Sequence, residues 1–165
     1  MKTRLSLYIL AIMGIATLTG AEENLIKNGD FSKGTSRWGG KKKITFETKA
    51  KKNKVCKIKV KKQHSYTFYQ TINTSKKTDL ILSFKIKKSK DYKGKGYQVK
   101  FELQTDTTWY WKSSSPPKKP NKWVKVSFRM KKERFRNSSH FKMMIKVNPG
   151  SSGYLMFDDF KITED

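Results

Sequence analysis

The chain has 165 residues, a formal net charge of +25 and a single cysteine, Cys56. One cysteine excludes a framework of intramolecular disulfides, so packing must supply most of the stability. The positive charge is larger than solubility requires, and it destabilises the compact state by self-repulsion. Two explanations stay open: a lysine-rich composition without functional meaning, or a polyanionic surrounding of acidic glycan, anionic lipid or nucleic acid.

The N-terminal residues have the layout of a secretory signal peptide. Two basic residues precede an apolar run, Leu5–Leu18, and the small residues 19–21 offer a cleavage site. The run is short for a bilayer-spanning helix, and no later segment is apolar enough to be one. We therefore expect residues 1–21 to be removed and residues 22–165 to form one domain that is secreted, periplasmic or at the cell surface. The alternative is an uncleaved N-terminal anchor.

Apolar and polar residues alternate along most of the remaining chain. This period of two predicts β-strands with one buried and one solvated face. Clusters of glycine, asparagine, proline and serine predict turns between them. Nine or ten short strands predict an all-β fold, a two-sheet antiparallel β-sandwich or jelly roll. The predicted strands lie near 44–48, 56–61, 66–73, 80–87, 99–104, 108–112, 124–131, 141–147 and 154–163.

Four individual side chains are predicted to serve the fold. Cys56 falls on the buried side of its strand, which predicts a small, unreactive thiol. Gln70 also falls on a buried side, where its amide needs hydrogen-bonding partners. Trp38 and Trp123 are predicted to be core or edge-packing residues.

Motifs of common enzymes are absent from the sequence. The two histidines, His64 and His140, lie far apart, and no nucleophile elbow, zinc-protease helix or paired-cysteine motif occurs. Asp158 and Asp159 are neighbours in a predicted strand, so their side chains should point to opposite faces and cannot easily form an acid–base pair. The sequence therefore favours a protein that is not an enzyme.

Four segments form an ordered series along the chain. They are NLIKNGDFSKGTSRW (Asn24–Trp38), YTFYQTI (Tyr66–Ile72), NKWVKVSFRM (Asn121–Met130) and YLMFDDFKI (Tyr154–Ile162). This series resembles carbohydrate-binding modules of the CenC type, which have the galactose-binding-like jelly roll. The resemblance implies a non-catalytic module that binds glycans.

The resemblance also implies a structural calcium ion. In the family, the first aspartate of the closing strand meets carbonyl groups of the opening turn, which corresponds here to Asp158 with the backbone around Asn28 and Asp30. The family often has an acidic residue directly after the phenylalanine of that turn, where this chain has Ser32. The alternative is that Asp158 forms hydrogen bonds with the same turn and no metal is bound.

Aromatic rings are the first candidates for sugar contacts, because the C–H faces of sugars stack on tryptophan and tyrosine. Trp109 and Trp111 lie two apart on a predicted strand and should point to the same side. Counting the alternation from the preceding strand would place both in the core, whereas a turn or bulge at Thr105–Thr108 would place them on a binding surface. Both alternatives stay open. Tyr69 and Tyr97 are further candidates on nearby predicted strands.

Basic side chains form the other candidate ligand-binding set. They share the solvated side of the alternating strands, so strand pairing could bring several within a Debye length of about 8–10 Å. Like charges at this distance repel each other unless an anion lies between them. The alternative is a set of solvated faces without a ligand, and the sequence does not decide between one patch and two. The candidates are Lys57, Lys59, Lys61, Lys85, Lys100 and Arg129.

These patterns together predict a secreted, non-catalytic module whose partner is an acidic or sulfated polysaccharide or glycoconjugate, with calcium as the one expected cofactor. The alternative is a structural or envelope-associated jelly-roll protein that binds polyanions non-specifically. Exposed tryptophan or tyrosine rings in a groove would favour the first, and buried rings the second. No specific nucleic-acid partner is expected, because the usual nucleic-acid-binding motifs are missing.

Overall fold

A computed structural model describes residues 23–40, 45–50, 53–74, 78–103, 109–134 and 140–165. The predicted signal peptide lies outside these ranges. Within them the chain forms nine β-strands and one 3-10 turn at Lys132–Arg134. The strands are β1 (Thr45–Ala50), β2 (Asn53–Lys59), β3 (Tyr66–Asn73), β4 (Leu80–Lys88), β5 (Tyr97–Leu103), β6 (Trp109–Ser114), β7 (Val124–Met130), β8 (His140–Val147) and β9 (Tyr154–Glu164). In the same ranges, no helix has the length and hydropathy that a membrane crossing needs.

The strands form two antiparallel sheets. The five-stranded sheet has the order β1-β2-β9-β4-β7, and the four-stranded sheet has the order β3-β8-β5-β6. Most neighbours within a sheet are distant in sequence, so the chain crosses repeatedly between the two layers, as in a jelly roll. This arrangement confirms the all-β, two-sheet sandwich that the alternation of apolar and polar residues predicts.

The core consists of the apolar residues on the inward side of each strand. In β4, Leu80, Leu82, Phe84 and Ile86 are each at most 1% exposed. The ring of Phe84 stacks on Phe160 of the same sheet, with the ring centroids 4.8 Å apart. Burial of this apolar area is the main source of stability in a chain without disulfides.

Cys56 lies in this core on β2, as predicted, and is fully buried. Burial raises the pKa of its thiol well above the usual range. A buried thiol that stays protonated is a poor nucleophile and a poor metal ligand, so Cys56 serves packing.

A β-bulge interrupts the closing strand, β9. Two of its residues, Asp159 and Phe160, lie opposite the single residue Phe84 of β4. Asp159 has a left-handed backbone conformation, with φ of 52°. The additional residue resets the alternation, so Phe157 and Phe160 are both buried although they are three positions apart. On the two sides of this reset, Asp158 is buried and Asp159 is exposed.

The N-terminal loop, residues 23–40, joins the two sheets by backbone hydrogen bonds. On the five-stranded sheet, the N–H of Phe160 donates to the carbonyl of Gly29 at 2.9 Å. On the four-stranded sheet, the N–H of Gly39 donates to the carbonyl of Tyr69 at 2.8 Å. The loop therefore connects β9, the central strand of the five-stranded sheet, to β3, an edge strand of the four-stranded sheet.

Phe31 and Trp38 anchor this loop in the core. Their ring centroids lie 5.1 Å apart, and the Trp38 ring lies 5.4 Å from that of Phe68 on β3. The indole N–H of Trp38 donates to the carbonyl of Asn28 at 3.0 Å, which closes the loop on itself. The predicted core role of Trp38 is confirmed. The Asn-Gly-Asp-Phe turn and its tryptophan serve to hold the loop in the core.

Candidate functional site

The register of the four-stranded sheet places four outward side chains in one row across it. Tyr69 of β3 pairs with Met144 of β8, Met144 pairs with Lys100 of β5, and Lys100 pairs with Trp111 of β6. Directly opposite residues of antiparallel strands share a face. With neighbouring strands about 4.8 Å apart, the row spans roughly 14 Å. We term these four residues the Trp111 row.

Trp111 ends the row on the edge strand β6, and 58% of its side chain is exposed. Trp111 therefore lies on the surface and not in the core, which were the two positions that the sequence leaves open for this residue. The backbone of Trp109 pairs with Glu102, but the Trp109 side chain lies outside the described part of the structure. The predicted turn at Thr105–Thr108 also lies outside it. An exposed tryptophan on a sheet face is a candidate sugar platform.

Tyr69 lies at the other end of the row and is half-buried. The ammonium of Lys142 lies over its ring, 5.2 Å from the centroid, and also 3.3 Å from a carboxylate oxygen of Glu102. Gly39 packs directly on the ring, since a Cβ there would lie 2.3 Å from Cζ of Tyr69. The loop and β8 thus fix the orientation of this ring from two sides.

A cleft of about 1110 Å³ opens between the N-terminal loop and β3. Tyr69 lines this cleft as well as the sheet face, so the cleft continues the Trp111 row past the edge of the sheet. Both signs of charge are present in its lining, which suits a polar ligand better than an apolar one. The charged lining residues are Glu23, Lys27, Asp30, Lys33 and Arg37.

Gln70 holds the wall of this cleft in place. Gln70 is 5% exposed. Its side-chain amide forms hydrogen bonds with both the backbone N–H and the backbone carbonyl of one residue, Lys27. The N–H of Lys27 donates to Oε1 of Gln70 at 2.7 Å, and Nε2 of Gln70 donates to the Lys27 carbonyl at 2.9 Å. The sequence-based expectation of a buried, partnered amide is confirmed, and the role is to fix the loop against β3.

The prediction that Tyr97 contacts a ligand is wrong. Tyr97 is 1% exposed, and its ring packs against Phe84 and Phe157 at centroid distances of 5.9 and 5.7 Å. It shares the inward side of β5 with Val99 and Phe101, which the alternation of β5 requires. Burial raises the pKa of Tyr97 to about 12.

The basic candidates are divided between the two sheets. Lys100 belongs to the Trp111 row on the four-stranded sheet. Lys61 follows β2 in an exposed turn, where its backbone forms an isolated β-bridge with the backbone of His64. Whether any of these side chains binds a ligand stays a prediction. The remaining candidates lie on the outer face of the five-stranded sheet and are Lys57, Lys59, Lys85 and Arg129.

Carboxylates of the chain pair with three of these cations. The ammonium of Lys57 contacts Glu47, and that of Lys85 lies 2.7 Å from Asp159. The guanidinium of Arg129 lies 2.9 Å from Asp79. A hydrogen bond from the backbone N–H of Lys132, together with that guanidinium, lowers the pKa of Asp79. Part of the positive charge is therefore balanced within the fold.

The residues implied as calcium ligands are involved in other contacts. Oδ1 of Asn28 accepts the N–H of Lys33 at 2.9 Å, and Oδ1 of Asp30 accepts both the N–H and the hydroxyl of Ser32. Oδ1 of the buried Asp158 accepts the N–H of the next residue at 2.9 Å. Among the described residues, no group of three or more His, Cys, Asp or Glu side chains is placed to hold a metal ion. The calcium ion stays a prediction.

Solved structures with a similar fold include several carbohydrate-binding modules. Similar structures include TmCBM61 in complex with β-1,4-galactotriose, a family 16 carbohydrate-binding module, and the family 11 module from Clostridium thermocellum in complex with a β-1,3-1,4-mixed-linked tetrasaccharide. Their sequences are 16%, 16% and 13% identical to this chain, with TM-scores of 0.62, 0.60 and 0.56. The alignments cover 87%, 86% and 88% of this chain and 99%, 100% and 98% of theirs.

The same fold also occurs as part of a longer enzyme. An arabinose-bound α-L-arabinofuranosidase, MgGH51, aligns with 85% of this chain over 26% of its own length, at a TM-score of 0.59 and 10% identity. No family model matches the chain, and no curated protein matches it. At these identities the likeness shows the fold alone, a two-sheet β-sandwich of the jelly-roll type.

Proposed function

We propose that the protein is a non-catalytic module that binds a glycan chain along the Trp111 row. The observation that carries the proposal is the exposed indole of Trp111, held in register with the fixed ring of Tyr69 across the four-stranded sheet. The exposed indole of Trp111 offers a platform for the C–H face of a sugar, and Tyr69, whose ring packs against Gly39 and Lys142, closes the other end of the row. The cleft beside Tyr69 gives a longer chain room to continue.

The proposed ligand class is an acidic or sulfated polysaccharide or glycoconjugate. Three lysines, Lys100, Lys142 and Lys146, lie on the outward side of β5 and β8, where Glu102 is the one carboxylate among the described outward residues. An ammonium beside a sugar carboxylate or sulfate forms a charge-assisted hydrogen bond, which is stronger than a neutral one. Such a ligand would also relieve repulsion between the lysines.

The finer parts of this proposal come from the sequence. We propose that the module is of the CenC type, because the ordered motifs from Asn24 to Ile162 resemble that family. We propose a secreted, periplasmic or cell-surface location from the signal-peptide layout of residues 1–21. A structural calcium beside Asp158 belongs to the same proposal. The competing proposal is a structural or envelope-associated jelly-roll protein that binds polyanions non-specifically, and the exposure of Trp111 argues against it.

A glycan array read at two salt concentrations, about 50 and about 200 mM, tests the ligand class. We expect binding to carboxylated or sulfated chains that weakens steeply between the two conditions, because counterions are released when the chain binds. Neutral glucans and galactans on the same array serve as controls for stacking without charge. Binding to no glycan at either salt concentration would contradict the proposal, and equal binding to every polyanionic chain regardless of its sugar would favour the structural alternative.

A further inference from the structure

In the described part of the five-stranded sheet, six lysines project from the outer face. Two exposed carboxylates lie on the same face, so this part carries more positive than negative charge. Arg129, at one end of this sheet, pairs with two carboxylates, Asp79 and Asp165, and is not counted with the lysines, two of which, Lys57 and Lys85, pair with one carboxylate each. We term the six lysines the lysine face; they are Lys57, Lys59, Lys85, Lys87, Lys125 and Lys161. The exposed carboxylates are Glu47 and Asp159.

Strand register concentrates these charges. Lys85 of β4 lies directly opposite Lys125 of β7, a cross-strand position where like charges destabilise a sheet. Lys57 of β2 and Lys87 of β4 both pair with Met156 of β9, from its two sides. They therefore lie roughly 10 Å apart, as two strand spacings require. That separation is about one Debye length, within which the charges still repel each other.

Two aromatic rings lie among these lysines. The ammonium of Lys57 lies over the ring of Tyr154, 4.1 Å from the centroid, and that of Lys87 lies 5.1 Å from the centroid of Trp123. Tyr154 also pairs with Lys59 across the sheet. Ammonium groups beside half-buried rings are suited to a ligand that has both anionic groups and flat C–H faces, such as a charged sugar chain.

We infer that the lysine face is a second binding surface, which takes an anionic polysaccharide chain. It lies on the opposite sheet from the Trp111 row, so one molecule could hold two chains, one on each side of the sandwich. The lysines meet the carboxylate or sulfate groups, and the parts of the Tyr154 and Trp123 rings that Lys57 and Lys87 do not cover contact the sugar. This surface is independent of Trp111 and does not rest on glycan binding at the row.

The test uses dextran sulfate as the probe, uncharged dextran as its control, and single-stranded DNA as a polyanion without pyranose rings. The face variant carries Lys59→Gln, Lys87→Gln and Lys125→Gln. The matched control carries Lys90→Gln, Lys93→Gln and Lys95→Gln, which removes the same charge from the exposed turn between β4 and β5. Each protein is measured with and without Trp111→Ala, so that the two surfaces are read separately.

We expect the face variant to bind dextran sulfate about tenfold more weakly at about 50 mM salt, with a salt slope lower by roughly 2, because three cation contacts are lost. The turn variant should lose much less, and Trp111→Ala should not change the difference between the two variants. Equal losses in the face and turn variants would overturn the inference, since net charge alone would then explain binding. DNA binding that is as tight and as sensitive to the face variant would overturn the assignment to a polysaccharide.

Discussion

Gln70 binds both hydrogen-bonding groups of one backbone residue, the N–H and the carbonyl of Lys27. The alternation of β3 was enough to predict that this amide is buried, because Phe68 and Ile72 on the same strand are apolar. The sequence could not show its partner, which lies 43 positions away. That contact depends on how the N-terminal loop folds back on the sheet.

Replacing Gln70 with Ala should lower the free energy of unfolding by about 1–3 kcal/mol, because two backbone groups lose their partner. The amide of Lys27 should also exchange its hydrogen faster, since the loop is no longer fixed to β3. Urea denaturation and hydrogen exchange measure the two effects. Gln98→Ala, on the outward side of β5, is the matched control and should change stability by less than about 0.5 kcal/mol. Equal effects of the two substitutions would contradict the role of Gln70.

The raised pKa of Tyr97 predicts that the stability of the protein falls at high pH. Its pKa is raised to about 12 by burial in the folded protein, whereas an unfolded tyrosine titrates near 10. Below about pH 10 both states hold the proton, so the contribution is fully present. At higher pH the unfolded state releases its proton first, so stability should fall between about pH 10 and pH 12.

Urea unfolding between about pH 9 and pH 11, for the unaltered protein and for Tyr97→Phe, measures this contribution. Burial of Cys56 raises the pKa of its thiol and acts in the same direction in both proteins, so the difference between them isolates Tyr97. We expect a shallower loss of stability in Tyr97→Phe. The same slope in both proteins would show that the hydroxyl of Tyr97 is not desolvated in the fold.

The strands themselves were predictable because nearly every one has a single buried face, which leaves a period of two in the sequence. Their pairing was not predictable, since partners such as Lys100 and Trp111 are brought together by sheet register. The same limit applies to Met144, which joins the Trp111 row through its partners on two other strands. Register also decided that the basic residues form two surfaces, one on each sheet.

The N-terminal loop depends on one close backbone contact with β9. A Cβ at Gly29 would lie 2.0 Å from the carbonyl oxygen of Phe160, and neither backbone segment can move away without breaking its hydrogen bond. Gly29→Ala should therefore displace the loop and lower the Tm. Gly34→Ala is the control: its φ of 59° is unfavourable for alanine, but its nearest neighbour atom would be 3.8 Å away.

Calorimetric melting curves compare the two variants. The control should lose about 1 kcal/mol of stability for its left-handed backbone, and Gly29→Ala should lose clearly more. If Gly29→Ala melts at the same temperature as Gly34→Ala, the loop does not need its close approach to β9.

The whole molecule is a sandwich whose two outer faces differ in chemistry. One carries the Trp111 row and the cleft, and the other carries the lysine face with several of its cations balanced by carboxylates. The positive charges of the described residues are thus distributed over both sheets and the turns. Composition alone could not separate a functional polyanion surface from solvated lysines, because that distinction depends on which lysines share a face.

A structural calcium ion would stabilise the whole fold by joining Asp158 to the turn at Asn28 and Asp30. If calcium is bound, excess chelator should lower the Tm and added calcium should restore it, because a ligand of the native state stabilises that state. Magnesium added in place of calcium is the control, since it fits a cage of carbonyl oxygens less well. An unchanged Tm under excess chelator would contradict calcium binding and favour hydrogen bonding alone.

Titration of Trp111→Ala with the glycan that binds the unaltered protein most tightly tests the central claim most directly. By analogy with aromatic stacking on nucleobases, the variant should lose about 1–3 kcal/mol of binding free energy. Its free energy of unfolding should change by less than about 0.5 kcal/mol, because the ring is exposed. Trp38→Ala is the control and should instead lose about 3–5 kcal/mol of stability. A Trp111→Ala protein that binds the glycan as tightly as the unaltered protein would contradict the account.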